Sequence, residues 1–229
     1  MLRLLMFLAA VSYATAGIAA GEPYWIAYEG NDFPENEGWE RVHGDENGHN
    51  QGGAERWIED GALVIDSRRH IEIYDSYTMS RAVNPGPGEL FLMRWRLKVD
   101  EVSAFYDPSV VVFSDDSWVV AFNFSESLAR SGFESGVSVE FDPGVFHDFE
   151  LSSWDMRTYE LTIDGTTALT GDFVPVFTAS EVSWGDGWQG AASLARWDYF
   201  EFGVVPEMQS ALAFGVGCTL LFFVKRRGI

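Results

Sequence analysis

The fold is decided by residues 146–169, which read FHDFELSSWDMRTYELTIDGTTAL. Apolar and polar residues alternate within residues 158–163, and this period of two is typical of strands that bury one face. Residues 146–152 and 166–169 are short runs on either side that also suit strands. Asp164-Gly165 separates the last two runs, and a type I′ turn needs the positive φ angles that this pair adopts readily. The stretch therefore predicts three successive antiparallel strands, of which the last two form a hairpin.

The same pattern extends through residues 22–204, which are predicted to form one domain. In residues 90–99, one face carries Arg94, Arg96 and Lys98, and the other carries Phe91, Met93, Trp95, Leu97 and Val99. Further β-branched or aromatic runs are residues 62–65, 71–74, 110–113, 118–124, 137–141, 182–184 and 194–202. About eleven strands without crossover helices predict an all-β, two-sheet antiparallel jelly-roll sandwich. Residues 125–130 are predicted to form one helical turn, and residues 30–53 a long polar loop.

Three segments of this domain resemble a known family. Phe146-His147-Asp148-Phe149 and Ile163-Asp164-Gly165 are similar to the Trp-His-x-apolar and apolar-Asp-Gly hairpin of laminin-G repeats, and residues 197–202 resemble the closing strand of that fold. The resemblance covers residues 24–204 and extends to the larger concanavalin A-like lectin and glucanase group. It implies a curved jelly roll of a kind that often binds glycans or protein partners.

The N-terminus has the three parts of a secretory signal peptide. Arg3 precedes a short apolar run, and Ala14 and Ala16 place small residues at the −3 and −1 positions of a cleavage site. The signal peptide is predicted to span residues 1–16, with a possible extension to residue 20, so we expect the chain to be exported. The alternative interpretation is a buried N-terminal helix.

Residues 205–229 form a second targeting segment. An apolar stretch, residues 211–224, is predicted to be a transmembrane helix; it follows Pro206-Glu207 and precedes the basic residues Lys225, Arg226 and Arg227. Such a helix would span about 21 Å of the roughly 30 Å hydrocarbon core, which suits a segment that is held briefly in the membrane. The basic cluster is expected to stay in the cytoplasm, so the domain would lie outside.

These parts resemble the PEP-CTERM sorting signal of bacteria, although Met208 stands where the full Pro-Glu-Pro motif has its second proline. The resemblance implies an exosortase that cleaves near Pro206 and Glu207. The product would be delivered to the cell surface or to the exopolysaccharide matrix. The alternative interpretation is a permanent C-terminal membrane anchor.

The chain is strongly acidic, with 35 acidic against 15 basic residues and a formal net charge of −20. Residues 17–205 alone keep 11 bases and 34 acids, which is a charge of −23. Such a surface repels phosphate backbones, which excludes nucleic-acid binding, and it attracts divalent cations loosely. The single cysteine, Cys218, lies in the predicted tail, which excludes a disulfide framework, a zinc site built from cysteines and a cysteine nucleophile.

One Gly-rich segment combines aromatic and polar residues in a way that suits a sugar. Sugar rings present apolar C–H faces, so binding sites commonly pair a Trp or Tyr with carboxylate or amide groups. Trp184, Asp186, Trp188 and Gln189 offer that combination and are predicted to be ligand-binding residues. The alternative interpretation is that Trp184 ends a core strand and Trp188 covers the edge of the sandwich.

Loop carboxylates offer oxygen ligands for calcium, which is the one cofactor that the sequence indicates. The predicted metal ligands are Asp32, Asp115 and Asp116. Other acids in predicted loops are Glu35, Asp45 and Asp186. The densest group of potential transition-metal ligands is His43, Asp45, Glu46 and His49. In each case the alternative interpretation is a solvated, charged loop without a metal.

The sequence contains only part of a catalytic set. Glucanases of the resembled group carry Glu-x-Asp-x-(x)-Glu on one strand, which aligns carboxylates for attack on the sugar and protonation of the leaving group. Glu140 and Asp142 match the first two acids, but Pro143 and Gly144 follow and end the strand. We therefore expect a non-catalytic binding or structural protein that binds carbohydrate in the extracellular matrix. The alternatives are a divergent glycoside hydrolase or lyase and a protein–protein adhesion module.

Overall fold

Sixteen strands and one short 3-10 helix make up the part of the chain that the structure, a computed structural model, describes. That part comprises residues 24–44, 53–69, 74–80, 83, 85–86, 88–102, 109–115, 117–133, 136–175, 180–187 and 192–206. The 3-10 helix is Pro34–Glu37. The strands are β1 (Tyr24–Tyr28), β2 (Glu40–Gly44), β3 (Glu55–Glu59), β4 (Ala62–Asp66), β5 (Tyr74–Met79), β6 (Glu89–Val102), β7 (Ser109–Ser114), β8 (Trp118–Phe124), β9 (Leu128–Ser131), β10 (Ser138–Glu140), β11 (His147–Ser153), β12 (Thr158–Ile163), β13 (Thr166–Asp172), β14 (Val174–Pro175), β15 (Glu181–Asp186) and β16 (Ser193–Pro206).

The strands form two sheets. The first sheet has the order β13-β12-β11-β6-β16-β4-β3, and β1 also pairs with β16. The second sheet has the order β10-β9-β8-β7-β15-β5-β2, and β14 also pairs with β8. Strand β11 is antiparallel to β6 and β12, and β7 is antiparallel to β8 and β15. The predicted all-β, two-sheet antiparallel sandwich is thus confirmed.

Aromatic side chains fill the space between the sheets. The alternation predicted for residues 90–99 is confirmed, because Phe91, Met93 and Trp95 on β6 have no exposed surface. Phe91 of the first sheet contacts Phe113 of the second, with ring centroids 4.4 Å apart. Trp95 stacks on Phe149 of β11 at 5.4 Å. Buried rings of this size supply most of the apolar area that holds two sheets together.

The hairpin predicted around Asp164-Gly165 is confirmed. Ile163 on β12 pairs with Thr166 on β13, which leaves Asp164 and Gly165 as a two-residue turn. Their φ angles are +50° and +74°, as a type I′ turn requires. The two motifs that resemble laminin-G repeats also meet here, because His147 Nδ1 lies 2.7 Å from Asp164 Oδ2.

Several elements differ from the prediction. Residues 128–131, assigned in part to a helical turn, form the strand β9, which pairs with β8 through Ala129 and Phe124. Part of the predicted loop 30–53 is ordered as the 3-10 helix Pro34–Glu37 and as β2, which pairs with β5. These strands are rich in polar residues, so their own sequence gives little indication of the partner strand that stabilises them.

The chain divides into two units by its internal contacts. Residues Trp25–Val205 form one compact unit, which contains the sandwich. The other unit comprises Met1–Tyr24 and Pro206–Ile229, of which Tyr24 and Pro206 alone are described. The predicted signal peptide 1–16, the apolar segment 211–224 and the residues Glu207, Lys225, Arg226 and Arg227 lie outside the described residues. Within the described ranges, no helix has the length and apolar character needed to cross a membrane.

Candidate functional site

The segment predicted to bind a sugar lies partly inside the sandwich. Trp184 has 0% of its surface exposed and Asp186 has 2%. Both belong to the inner strand β15, where Trp184 pairs with Tyr77 of β5 and Val111 of β7. The structure therefore corrects the prediction for Trp184 and Asp186: in this conformation they belong to the core, because a ring without exposed surface cannot stack on a sugar. Trp188 and Gln189 lie outside the described residues.

The two described carboxylates of the predicted calcium site hold local turns. Asp32 Oδ1 accepts hydrogen bonds from the backbone N–H of the next residue at 2.7 Å and from the Asn36 side chain at 3.0 Å. Asp115 Oδ1 accepts hydrogen bonds from the backbone N–H groups of Ser117 and Trp118, at 2.7 and 2.6 Å. These bonds satisfy the exposed backbone groups of each turn, which is the usual role of Asp in this position.

The remaining predicted metal ligands do not form a metal-binding cluster among the described residues. Asp116, Asp45, Glu46 and His49 lie outside the described residues. Across the ranges that are described, no group of three or more His, Cys, Asp or Glu side chains is placed to hold a metal ion. His43 belongs to β2 and pairs in register with Asp75 of β5, whose carboxylate binds the Arg41 guanidinium. The described side chains therefore give no support to a calcium site.

A cleft of about 440 Å³ lies between the edge strands β10 and β13. Its walls include Glu140 and Asp142, the two acids of the partial glucanase motif, together with His147 and Asp164. His147 is 6% exposed, and its Nε2 lies 2.7 Å from the backbone oxygen of Asp142 while its Nδ1 contacts Asp164. Both partners are acceptors, so a ring with a proton on each nitrogen satisfies both contacts.

Both ring nitrogens of His147 therefore contact groups of the domain itself, and the ring links β11 to the β12–β13 turn. Partial burial alone would raise the pKa of Asp164, but hydrogen bonds from the Asp148 backbone N–H and from His147 outweigh it. The pKa of Asp164 therefore lies below its ordinary value. The cleft thus lies where His147 joins β11 to the β12–β13 turn, and Glu140 and Asp142 line it.

A second concave site surrounds Trp154, and we call it the Trp154 groove. It has a volume of about 460 Å³, within the range of small-ligand sites. Its lining residues are Ser152, Ser153, Trp154, Thr158, Tyr159, Glu160, Thr170, Gly171 and Asp172. They come from the outer edge of the first sheet, where β11, β12 and β13 lie side by side.

Strand register aligns polar side chains across the floor of the groove. Ser152 of β11 pairs with Glu160 of β12, and Glu160 pairs with Thr170 of β13. Tyr159 and Leu161 point into the core, so the intervening Glu160 points outward. Directly opposed residues lie about 5 Å apart, which gives a hydroxyl, a carboxylate and a hydroxyl in one row.

Trp154 forms one wall of this groove and is 55% exposed, unusually high for a tryptophan. It is the first residue of the turn between β11 and β12. Asp155 Oδ1 accepts hydrogen bonds from the backbone N–H groups of Arg157 and Thr158, both at 2.9 Å. The buried Ser153 hydroxyl donates to the Thr158 carbonyl at 2.7 Å. The turn therefore holds Trp154 in place without burying its ring.

The geometry of the groove suits a ligand with an apolar face and several hydroxyl groups. The exposed indole offers a flat apolar surface, and the row of hydroxyl and carboxylate groups offers hydrogen bonds beside it. Because the turn is ordered by its own hydrogen bonds, binding costs little additional conformational entropy. These features are what a sugar ring requires.

The sequence contained one signal for this site that the predictions missed. Trp154 is a bulky aromatic residue in a short polar turn, Trp-Asp-Met-Arg, between two strands. A turn residue lies outside the alternation that directs strand side chains into the core, so an exposed ring is compatible with this position. The side chains beside it could not be read from the sequence, because they depend on the register of three strands.

Solved structures share this fold, although no family model and no curated protein matches the sequence. The conserved carbohydrate esterase from the Shiga toxin-encoding bacteriophage phi24B has a TM-score of 0.54 at 12% identity, over 78% of this chain and 97% of that chain. The Bacillus licheniformis β-glucanase has a TM-score of 0.51 at 13% identity, over 80% and 98%. The carbohydrate recognition domain of Emp47p has a TM-score of 0.50 at 13% identity, over 82% and 99%.

The TM-scores of 0.50–0.54 indicate a common fold, whereas identities of 12–13% leave the ligand of this chain open. The matches cover nearly the whole of each solved structure, so the shared feature is the complete sandwich. The chain therefore shares the two-sheet, all-β fold of these solved structures.

Proposed function

We propose that this chain is a non-catalytic carbohydrate-binding protein and that the Trp154 groove is its glycan site. The observation that carries the proposal is the exposed Trp154 ring, which is held by an ordered turn beside Ser152, Glu160 and Thr170. An apolar ring with adjacent hydrogen-bonding groups is the arrangement that binds the two kinds of surface on a sugar.

The fold gives this proposal independent support. Among the proteins that share it are a β-glucanase and a carbohydrate recognition domain. This support is analogy at the level of the fold, and one fold can serve unrelated functions. The groove itself therefore has to be tested, by substitutions that change the groove alone.

The test is glycan binding by the purified chain and by a Trp154→Ala variant. Both proteins are applied to a glycan array and to polysaccharide extracted from the producing cells. We expect Trp154→Ala to weaken binding about tenfold or more, because an exposed aromatic at the centre of a small site carries much of its binding free energy. Unchanged binding by Trp154→Ala would show that the glycan site lies elsewhere.

Phe133→Ala is the matched control. Phe133 is also an exposed aromatic residue, at 49%, but it does not line the groove. We expect its replacement to leave glycan binding unchanged. If the folded chain binds neither the array nor the extract, the proposal fails. Crosslinking at the cell surface that captures only proteins would then favour the alternative of a protein–protein adhesion module.

One observation favours a hydrolase as the second candidate. Glu160 pairs with Thr170, so Asp172 is its diagonal neighbour on the same face. Both acids line the groove, and inverting glycosidases use two carboxyl groups, one as the general acid and one as the general base. The test is the release of reducing ends from a panel of polysaccharides. If the chain releases them, and if Glu160→Gln abolishes the release but retains binding, the chain is a hydrolase.

We further propose that the protein is exported and sorted to the cell surface or matrix through its two terminal segments. The proposal is supported by the sequence of residues 1–16 and 205–229 alone. Its test is the intact mass of the mature protein together with cell fractionation. We expect a protein in the surface or matrix fraction whose mass shows that residues 1–16 and the tail beyond Pro206 have been removed. A membrane-bound form that retains residues 211–229 would indicate a permanent anchor.

A further inference from the structure

We propose that the glycan site continues from the Trp154 groove across the outer face of the first sheet to Trp25, so that it binds an internal segment of a linear polysaccharide. This inference rests on the proposed function, since it concerns the ligand class of the same site. It requires a ligand of several sugar units, whereas the groove alone has the size of a small-ligand site.

A row of four side chains crosses the sheet beside the groove. It consists of Glu150 on β11, Arg94 on β6, Glu201 on β16 and Trp25 on β1, and we call it the Trp25 row. Glu150 pairs in register with Arg94, whose Nε lies 2.7 Å from Glu150 Oε2. Arg94 Nη1 also lies 3.7 Å from Glu201, which accepts the indole N–H of Trp25 at 2.9 Å. The contacts therefore form a continuous line across four neighbouring strands.

The row and the groove lie on the same face of the sheet. Ser152 of the groove and Glu150 of the row are two residues apart on β11, and Leu151 between them is buried in the core. Side chains two residues apart on a strand point to the same side and lie roughly 7 Å from each other. A ligand that leaves the groove beside Ser152 therefore reaches Glu150 without crossing an edge of the sheet.

The row is accessible to a ligand and ordered before one binds. The side chains of Arg94 and Glu150 are 41% and 36% exposed, and Glu201 and Trp25 are half-buried. The Trp25 ring is held by its hydrogen bond to Glu201 and by the Arg94 guanidinium, whose carbon lies 5.9 Å from the ring centroid. Contact with a sugar therefore costs little additional conformational entropy.

The chemistry of the row suits a chain of sugar rings. A guanidinium has five N–H donors and a carboxylate about four acceptor sites, which is more than the contacts of Arg94 and Glu150 use. Sugar hydroxyls both donate and accept hydrogen bonds, so they can bind either group. The indole of Trp25 adds a second apolar surface beyond that of Trp154.

The positions of the two tryptophans set the length of the site. Trp25 lies three strands away from β11, which is about 14 Å at the usual strand spacing of about 4.8 Å. Trp154 lies four residues along the chain from Glu150, which adds roughly 13 Å in the strand direction. The two residues are thus roughly 20 Å apart. A ligand that contacts both has to be an extended oligomer, and it makes the second contact within a complex that has already formed.

The test compares short and long fragments of one polysaccharide. Polysaccharide extracted from the producing cells is cut by partial hydrolysis, and its dimer and octamer are separated by size. Calorimetry then measures the binding of each fragment to the purified chain. An octamer contains seven overlapping dimers, which accounts for a gain of at most about sevenfold. We expect about a hundredfold, because the octamer reaches Trp154 and Trp25 together.

Two variants assign this gain to the row. Trp25→Ala should lower the affinity for the octamer about tenfold and leave that for the dimer within about twofold. Arg94→Ala/Glu150→Ala should act in the same direction; it removes both partners of an exposed ion pair, which contributes little to stability. Phe133→Ala is the matched control on the second sheet and should change neither affinity. Circular dichroism checks that each variant is folded.

The outcomes separate this inference from the proposed function. A gain no larger than the statistical factor, with both affinities lost in Trp154→Ala, would overturn the extended site and keep the groove as the glycan site. A larger gain that both row variants retain would also overturn it, since the longer chain would then leave the groove in another direction. Binding of neither fragment would overturn this inference, and together with a blank glycan array it would overturn the proposed function as well.

Discussion

Trp184 and Trp154 are the same type of residue in opposite environments. Trp184 is fully buried, and its ring lies within 6 Å of five other aromatic rings, those of Tyr28, Trp39, Tyr77, Trp197 and Phe200. Trp154 is 55% exposed. We predict that Trp184→Ala lowers the free energy of unfolding by about 3–5 kcal/mol, since it leaves a large cavity among these rings.

The matched variant is Trp154→Ala, which should lower the free energy of unfolding by less than about 0.5 kcal/mol because it removes little buried surface. Urea unfolding followed by far-UV circular dichroism measures both, with a signal that does not depend on tryptophan fluorescence. A similar loss of unfolding free energy in both variants would show that Trp154 is a packing residue. The proposal that Trp154 binds a glycan would then be unsupported.

Asp155 is predicted to stabilise the turn that carries Trp154. Its carboxylate accepts hydrogen bonds from the backbone N–H groups of Thr158 and Arg157, and these bonds lower the pKa of Asp155. A folded-state pKa below the unfolded value of 3.8 means that the stabilisation is present above about pH 3.8 and is lost as the pH falls through the folded value. Asp155→Asn should therefore cost about 0.5–1 kcal/mol at pH 7, where the charge strengthens these bonds.

The measurement is the free energy of unfolding of the original chain and of Asp155→Asn between pH 7 and pH 2.5. The difference between them should shrink below about pH 3.8, since the original carboxyl then becomes protonated. A difference that stays constant across this range would mean that the charge of Asp155 does not contribute.

At the residue level, the sequence indicated that tryptophan beside polar groups was of interest but did not indicate which tryptophan is exposed. The Trp-Gly-Asp-Gly-Trp segment suggested an exposed loop because glycines usually mark turns. In the structure β15 continues through Gly185, which has a φ of +126° and pairs with Ser76 of β5. A glycine inside a strand permits this close pairing, and the period of two then turns Trp184 inward.

The β12–β13 hairpin is the element that could be derived most completely from the sequence. Gly165 has a φ of +74°, and a Cβ added there would meet nothing within 4 Å. We predict that Gly165→Ala lowers the free energy of unfolding by about 1 kcal/mol, which is the backbone cost of the left-handed conformation without a steric term. Thermal or urea unfolding measures this change.

Gly30→Ala provides the contrast for that prediction. Gly30 follows β1 with a φ of +73°, and a Cβ there would lie 1.9 Å from the backbone oxygen of Asp198 and 2.6 Å from that of Gly61. The backbone of β16 would have to move, so we expect a loss of about 3 kcal/mol or more. A smaller loss for Gly30→Ala than for Gly165→Ala would contradict the close packing of these segments.

Strand β9 shows which elements could not be predicted. It consists of Leu128, Ala129, Arg130 and Ser131, a sequence with low preference for strands. It becomes a strand because Phe124 and Phe122 of β8 present an edge on which Ala129 and Ser131 pair. The Trp154 groove depends on register in the same way, since a shift of one residue would turn Glu160 into the core.

At the scale of the whole molecule, the basic residues on the outer face of the first sheet are paired with acidic residues. There Arg94 lies 2.7 Å from Glu150, and Lys98 lies 2.8 Å from Asp100. Arg96, with 41% of its side chain exposed, contacts Asp198 at 3.0 Å. Exposed pairs of this kind contribute about 0.2–1 kcal/mol each. The bases in these pairs are therefore already neutralised locally, and acids are in excess on this face as well, since Arg94 and Arg96 each contact two carboxylates.

Two electrostatic terms consequently oppose each other when salt is added. Screening weakens the exposed ion pairs, which lowers stability, but it also weakens the mutual repulsion of a chain with a net charge of −20, which raises stability. The repulsion acts over the whole compact state and grows with the square of the charge, whereas the pairs contribute singly. We therefore predict that the repulsion dominates.

Raising the NaCl concentration from about 0.01 M to about 1 M shortens the Debye length from about 30 Å to about 3 Å and should raise the free energy of unfolding by about 1 kcal/mol or more. Urea unfolding at each concentration measures the effect. The control is Glu140→Gln/Asp142→Asn, which lowers the net charge by two and should respond less to salt, because both acids are exposed and outside the ion pairs of the first sheet. A stability that falls as salt is added would mean that these pairs outweigh the repulsion, and the acidic surface would then impose no cost on the fold.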